Sequence, residues 1–265
     1  MKRFLSLLIP PLILRFIRLT LDFRIKISSN KRVTDYSDEV LTSNVIAKTI
    51  RMKGLIAEQD YLTMESYRIA FAVLSCKVHP KNVLDLGGGA GYQFFNLRKI
   101  TQREYCWSII ETMELVKQAK MNKELTEIKF YNSIAEFQNT EPEEVDLLFC
   151  SRALQYFPDP EYVCRQIVAL NPRNIFFSGL TLSPDSDFHA LTQDSMLSSN
   201  GPGPLPEGVK DIPVSYPYQL IPLESILKIF SINYELLYQT VEEAVVHTYK
   251  NRAISYQGLF LVRKK

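Results

Sequence analysis

The chain has 265 residues, 46 % of them hydrophobic, which is enough for one substantial core and too few for two full domains. Its net charge of +2 excludes neither an acidic nor a neutral partner, but the charge is unevenly spread. Lys2, Arg3, Arg15, Arg18, Arg24, Lys26, Lys31 and Arg32 face one acid, Asp22, so residues 1–32 carry +7 and leave −5 for the rest. The four cysteines, at 76, 106, 150 and 164, form no C-x-x-C pair and have no histidine cluster beside them. That spacing argues against zinc and against a disulfide framework. Cys106 and Cys150 lie in apolar runs and read as buried small hydrophobes.

Residues 4–14 are apolar, basic at both flanks and interrupted by Pro10-Pro11. Eleven residues fall well short of the ~20 that cross a bilayer, and no small-residue cleavage site follows, as a signal peptide requires. The expectation for residues 1–32 is an arm lying in the headgroup region of an anionic membrane, with the protein cytoplasmic and peripheral on the inner face. Residues 33–76 read as a helical cap, with one helix over 36–52 that Gly54 closes and a second over 58–76.

From residue 77 the pattern alternates strand and helix, the signature of a mainly parallel α/β sheet. Strands are expected at 83–86, 106–110, 128–131, 145–150 and 174–178. Thr112 can cap the helix after the second, and Asp159-Pro160 opens the helix after the fourth. Residues 181–220, rich in Pro, Gly, Ser and Asp, read as a long irregular insertion able to cover a site. A helix over 223–230 and strands over 234–239 and 256–262 complete a seven-stranded sheet.

The chemistry concentrates at Val83-Leu84-Asp85-Leu86-Gly87-Gly88-Gly89-Ala90-Gly91, an apolar strand running into glycines before a helix. Glycine there permits a sharp turn and close approach of a ligand to the main chain. The spacing is G-x-G-x-G, whereas dinucleotide binding needs G-x-G-x-x-G. No Gly-Lys-Ser/Thr follows, which argues against a nucleotide-triphosphate loop. Asp85 would repel a pyrophosphate, but it suits the ammonium of a methionine moiety. Glu111, about 20 residues beyond the loop, can accept hydrogen bonds from a ribose. Asn132 and Ser133, after the third strand, are placed to meet an adenine edge.

These features resemble the class I, Rossmann-like S-adenosylmethionine-dependent methyltransferases. The stretch from Val145 to Pro160, containing Ser151 and Leu154-Gln155-Tyr156, looks like the fourth-strand end and turn of that class. The resemblance covers roughly residues 75–265. It implies S-adenosylmethionine as cofactor, bound by Asp85, Gly87, Gly88, Gly89, Gly91, Glu111, Asn132, Ser133 and Ser151, and an antiparallel seventh strand.

More narrowly, the chain is similar to a bacterial group of methyltransferases associated with surface-polysaccharide gene clusters. Pro10-Pro11, Gly87-Gly88-Gly89, Trp107, Leu154-Gln155-Tyr156, Leu191-Thr192-Gln193 and Ser215-Tyr216-Pro217 carry that likeness. The group often has Arg-Thr-Pro after the fifth strand, where this chain reads Ser178-Gly179-Leu180-Thr181. The likeness implies a small or lipid-linked glycan acceptor, with Gln155 and Tyr156 shaping its pocket.

A sugar hydroxyl would need a base, for which His189, preceded by Asp185 and Asp187, and Tyr216 are the candidates. The acidic body and the lack of an Asn-Pro-Pro-Tyr-like tetrapeptide after the fourth strand argue against nucleic acid as a partner. The rival readings are a non-catalytic scaffold that keeps the cofactor fold at a membrane and a methyltransferase acting on another small molecule.

Overall fold

The computed structural model describes residues 36–58, 64–141 and 143–265. The membrane call on residues 1–32 therefore lies outside the described residues. The first helix, α1 (Glu39–Glu58), starts where Asp38 accepts from the backbone N–H groups of Val40 and Leu41 at 2.9 and 3.2 Å. It runs through Gly54, which was expected to end it. That glycine is exposed with no atom within 4 Å of a would-be Cβ, and a solvent-side glycine costs a helix only about 1 kcal/mol. The second helix, α2, spans Met64–Ser75 among the described residues.

The strand–helix alternation then proceeds as β1 (Asn82–Leu86), α3 (Tyr92–Thr101), β2 (Cys106–Ile110), α4 (Met113–Met121), β3 (Lys129–Tyr131), α5 (Ile134–Thr140), β4 (Leu147–Ser151), α6 (Pro160–Leu170) and β5 (Asn174–Thr181). Asp159 caps α6 by accepting from Tyr162 N–H at 2.8 Å, and Pro160 fills its first turn. Thr112 stands at the N-cap of α4 but makes no capping bond. After the insertion come α7 (Leu223–Phe230), β8 (Tyr234–Tyr249) and β9 (Arg252–Arg263).

The seven-stranded sheet has the order β3-β2-β1-β4-β5-β9-β8. The five strands from β3 to β5 are parallel, and the last strand, β9, inserts antiparallel between β5 and β8. This is the Rossmann-like arrangement expected from the sequence.

Side chains alternate between the two faces of the sheet. Val83, Leu147 and Phe149 point into a core with α2, α3 and Trp107, while Leu84, Leu86, Leu148 and Cys150 point into a second core with α5, α6 and α7. Burying Ile226 and Phe230 of α7 contributes about 1.5–3 kcal/mol each. Cys106, expected inside, is exposed because it is the first residue of β2, ahead of the covered stretch. All four cysteines are free.

Two regions are more regular than the sequence suggested. The insertion contains an antiparallel pair, β6 (His189–Met196) and β7 (Pro213–Leu220), registered from His189↔Leu220 to Met196↔Pro213. Strands β8 and β9 also extend well past the sheet as a hairpin. Its turn residues Lys250 and Asn251 both have positive φ, 47° and 63°, as a two-residue turn matching strand twist requires. Among the described residues, no helix is long and apolar enough to cross a membrane.

Candidate active site

A cavity of about 480 Å³ opens above the carboxyl ends of the parallel strands, the position where open α/β sheets bind ligands. Its floor is Asp85, Gly87, Gly88, Gly89 and Ala90 at the end of β1, with Glu111 after β2 and Ser151 and Arg152 after β4. The roof comes from α1 and the β6–β7 insertion, including Tyr36, Val45, Gln193, Ser195, Asn200 and Tyr216.

The roof is anchored by polar contacts to main-chain carbonyls. Lys48 of α1, with no exposed surface, donates from Nζ to the carbonyls of Ser198 and Asn200 at 2.8 and 2.6 Å. Burial lowers the pKa of its ammonium, partly offset by Asp211. Asn44, one turn earlier, donates to the Leu197 carbonyl at 3.3 Å. Helix and insertion are thereby held together over the glycine loop.

The loop itself can be built only from glycine at its tightest points. Gly87 has φ 71°, and a Cβ there would fall 2.3 Å from that of Ala153. At Gly88 a Cβ would fall 2.4 Å from the carboxyl carbon of Asp85. The Asp85 carboxylate thus lies against the main chain of the loop. It is only 1 % exposed, and neither of its oxygens has a hydrogen-bond partner among the described residues. Burial, reinforced by the charge of Glu111, pushes its pKa well above the ordinary carboxylate range, and the nearby Trp107 side chain opposes that rise less strongly. A buried carboxylate without a partner costs free energy that a cationic ligand would recover.

Glu111 is better satisfied. Its carboxylate accepts from Gly89 N–H at 3.0 Å and from Thr112 N–H at 2.9 Å. Burial still raises its pKa, and the two backbone bonds partly offset that rise. One acid with no partner and one acid bonded to the glycine loop fit an ammonium and a ribose respectively. The donor set therefore suits S-adenosylmethionine.

The opposite wall is aromatic. Tyr36, Tyr156 and Tyr216 form a cluster with ring centroids 4.6 to 5.4 Å apart. Tyr156 O–H donates to Gln193 Oε1 at 2.9 Å. Burial raises the pKa of Tyr36, Tyr156 and Tyr256, keeping these phenols protonated.

Of the residues singled out in the sequence, Asp85, Gly87, Gly88, Gly89, Glu111, Ser151, Tyr156 and Tyr216 line this one cavity. Gly91 does not line it; with φ 92° it forms the N-cap of α3, where a Cβ would strike Ile128 at 2.2 Å. Asn132 and Ser133 are likewise outside the lining. Ser133 caps α5 by accepting from Glu136 N–H at 3.0 Å, and Asn132 N–H donates to the Glu136 carboxylate at 2.7 Å, so both are engaged in starting a helix. Gln155 is fully buried beneath the site, its amide donating to the Gly179 carbonyl at 3.1 Å. His189 is on the outer hairpin, its Nε2 2.7 Å from Asp185 and its Nδ1 3.3 Å from the Tyr249 hydroxyl. Pairing with His189 holds the Asp185 carboxyl down at about 2.

Sequence reasoning missed Tyr36, Lys48, Arg152 and Tyr256. Arg152 alone carried a legible signal, as the first charged residue beyond a buried strand end.

Residues 78–199 match a family model described as a methyltransferase domain. No curated protein matches the sequence. Among solved structures, an S-adenosylmethionine-dependent methyltransferase from Clostridium acetobutylicum superposes with a TM-score of 0.51 at 11 % identity, covering 82 % of this chain and 98 % of that one. The CcbJ methyltransferase from Streptomyces caelestis gives a TM-score of 0.48 at 13 % identity, covering 78 % and 100 %. A 1,6-didemethyltoxoflavin-N1-methyltransferase from Burkholderia thailandensis gives 0.46 at 12 %, covering 92 % and 97 %. Residues 78–199 thus carry a methyltransferase domain, the chain is a methyltransferase, and the donor set of its site fits S-adenosylmethionine.

Proposed function

We propose that this enzyme methylates a hydroxyl of a small or lipid-linked glycan, working at the cytoplasmic face of a membrane to which residues 1–32 attach it. The observation that carries this reading is the division of the cavity. Its β1–β2 side holds the partnerless carboxylate of Asp85 and the acceptor oxygens of Glu111, and its roof is a wall of tyrosines interleaved with amide and hydroxyl groups.

Such a wall suits a sugar, whose apolar faces stack on phenol rings while its hydroxyls bond to Gln193 and Ser195. S-adenosylmethionine, when bound, supplies an electrophilic methyl group on a sulfonium. Asp85 would hold its ammonium and Glu111 its ribose hydroxyls, with the glycine loop and Ser151 shaping the floor. The chain's further contribution is to place the acceptor oxygen in line and to shield it from water beneath α1 and β6–β7.

Of the two groups expected to take the acceptor's proton, His189 is outside the cavity lining and Tyr216 is within it. Its place in the lining supports Tyr216, acting as the phenolate, as the group that takes the proton. The basic and apolar composition of residues 1–32 supports attachment to an anionic surface.

The test begins with calorimetric titration of S-adenosylmethionine and S-adenosylhomocysteine, with NAD as control. Micromolar binding of the first two and none of NAD is expected. Methyl transfer from labelled cofactor to a panel of glycosides and lipid-linked sugars then decides the acceptor; transfer confined to non-sugar nucleophiles would overturn the glycan reading. Removal of residues 1–32 should abolish binding to anionic vesicles without changing cofactor affinity, and undiminished vesicle binding would overturn the attachment.

A further inference from the structure

Arg152, immediately after β4, stands apart from the other cations around the cavity. Arg68, also in the lining, is already neutralised by Glu242 at 2.9 Å, and that carboxylate accepts from Ser178 Oγ at 3.0 Å as well. Among the described residues, no carboxylate pairs with Arg152, and its buried Nε has no hydrogen-bond partner. Its guanidinium instead lies over the ring of Tyr256, 4.7 Å from the centroid.

The backbone is bent to hold it there. Arg152 has φ 54°, unusual for a side chain with a Cβ, and its N–H donates to the Ser178 carbonyl at 2.8 Å. Its stem crosses Gly179, where a Cβ would lie 2.3 Å from Arg152 Cγ. An outlying backbone, a missing side chain on the neighbouring strand and an aromatic platform together present one unpaired guanidinium to the cavity. Strain of this kind persists where the surroundings over-determine it, and it gathers at ligand-binding positions.

The direction of that presentation matters. The glycine loop and Glu111 follow β1 and β2, whereas Arg152 leans toward β5 and β9, which contribute Gly179 and Tyr256. In the order β2-β1-β4-β5-β9 this places it on the far side of β4 from the cofactor-binding acids. A planar guanidinium donor matches the oxyanion geometry of carboxylate and phosphate.

We propose that Arg152 is the anion anchor of the acceptor site, and that the acceptor carries a carboxylate or phosphate group beside the position that is methylated. This rests on the proposed function and narrows it, from glycans in general to anionic ones such as uronic acids or sugar phosphates. Tyr256 fixes the plane of the guanidinium, and Gly179 leaves it room.

The test uses the full chain loaded with S-adenosylhomocysteine and three probes: glucuronate, glucose 6-phosphate and glucose, followed by ligand-observed NMR. At least one anionic sugar should bind on the order of tenfold more tightly than glucose, the scale of one charge-assisted hydrogen bond. Whether the carboxylate or the phosphate shows the preference identifies the source of the charge. Arg152→Gln should reduce that anion to the affinity of glucose and leave S-adenosylhomocysteine affinity unchanged.

Three results would overturn the proposal: equal binding of all three sugars, an anion preference that survives in Arg152→Gln, or loss of S-adenosylhomocysteine affinity in that variant. The last would mean that the guanidinium serves the cofactor's own carboxylate. A readout on the unaltered protein covers a folding defect in the variant. Added chloride should weaken the anionic sugar and not glucose, and insensitivity to chloride would count against the anchor. If S-adenosylhomocysteine itself does not bind, the cofactor reading of the site fails, and the same titrations on unloaded protein still decide Arg152.

Discussion

Replacing Asp85 with Asn separates two consequences of burying a carboxylate without a partner. In Asp85→Asn the shape is kept and the charge removed. The ligand's ammonium then loses a charge-assisted bond, about 1.5–3 kcal/mol, so S-adenosylhomocysteine should bind roughly 13- to 160-fold more weakly.

The effect on the ligand-free protein has the opposite sign. The folded pKa of Asp85 is raised by burial and by Glu111, so over the window from about 4 up to the raised value the folded chain binds more protons than the unfolded one. Stability from this group is therefore greatest below that window and is lost as pH rises through the folded pKa. The Asn variant lacks this loss, so its melting temperature should gain on the wild type as pH rises. Each kcal/mol corresponds to about 2–4 °C for a chain near this size. Glu111 shifts in the same direction and is present in both proteins, though removing Asp85 also relieves the repulsion it feels.

Calorimetric titration and thermal denaturation between pH 5 and pH 9 would check both halves. Unchanged affinity would remove Asp85 from the cofactor site. A melting-temperature difference that is flat or falls with pH would refute the claim that the carboxylate is destabilised by its burial.

Three other outcomes are expected. Gly88→Ala places a methyl group against the Asp85 carboxyl and should weaken S-adenosylhomocysteine binding more than tenfold, at least ~1.4 kcal/mol, with the circular dichroism spectrum unchanged; full affinity would mean that the carboxylate can move aside freely. Lys48→Met removes the donor from two carbonyls of the insertion and should cost about 1.5–3 kcal/mol, read as a lower denaturation midpoint and faster proteolysis within 197–212. His189→Ala should leave the methyl-transfer rate within about twofold, under ~0.5 kcal/mol of barrier, because the imidazole is tied to Asp185 and Tyr249 outside the cavity lining. A hundredfold loss of rate would return it to the chemistry.

The sequence by itself determined the strand–helix alternation and the floor of the site. Those depend on local rules: apolar runs such as 83–86 and 147–150 make buried parallel strands, and the glycines after Asp85 are spaced for a tight turn regardless of what packs around them. The position of Glu111 followed from the parallel pairing of β2 beside β1.

Tertiary structure decided the roof and the acceptor side. The 181–220 stretch has composition typical of irregular chain, yet its strands are fixed by pairing with each other and by Lys48, about 150 residues away. Ser133 was read as an adenine contact from its place just after the third strand, but a serine three residues before Glu136 can also cap a helix, and that bond is seen only in the fold. His189 and Tyr216 belong to the same hairpin and sequence alone could not rank them. Its register and packing put the phenol in the cavity wall and the imidazole outside it. Arg152 became recognisable through Gly179 and Tyr256, residues far along the chain that meet it only once β5 and β9 lie side by side.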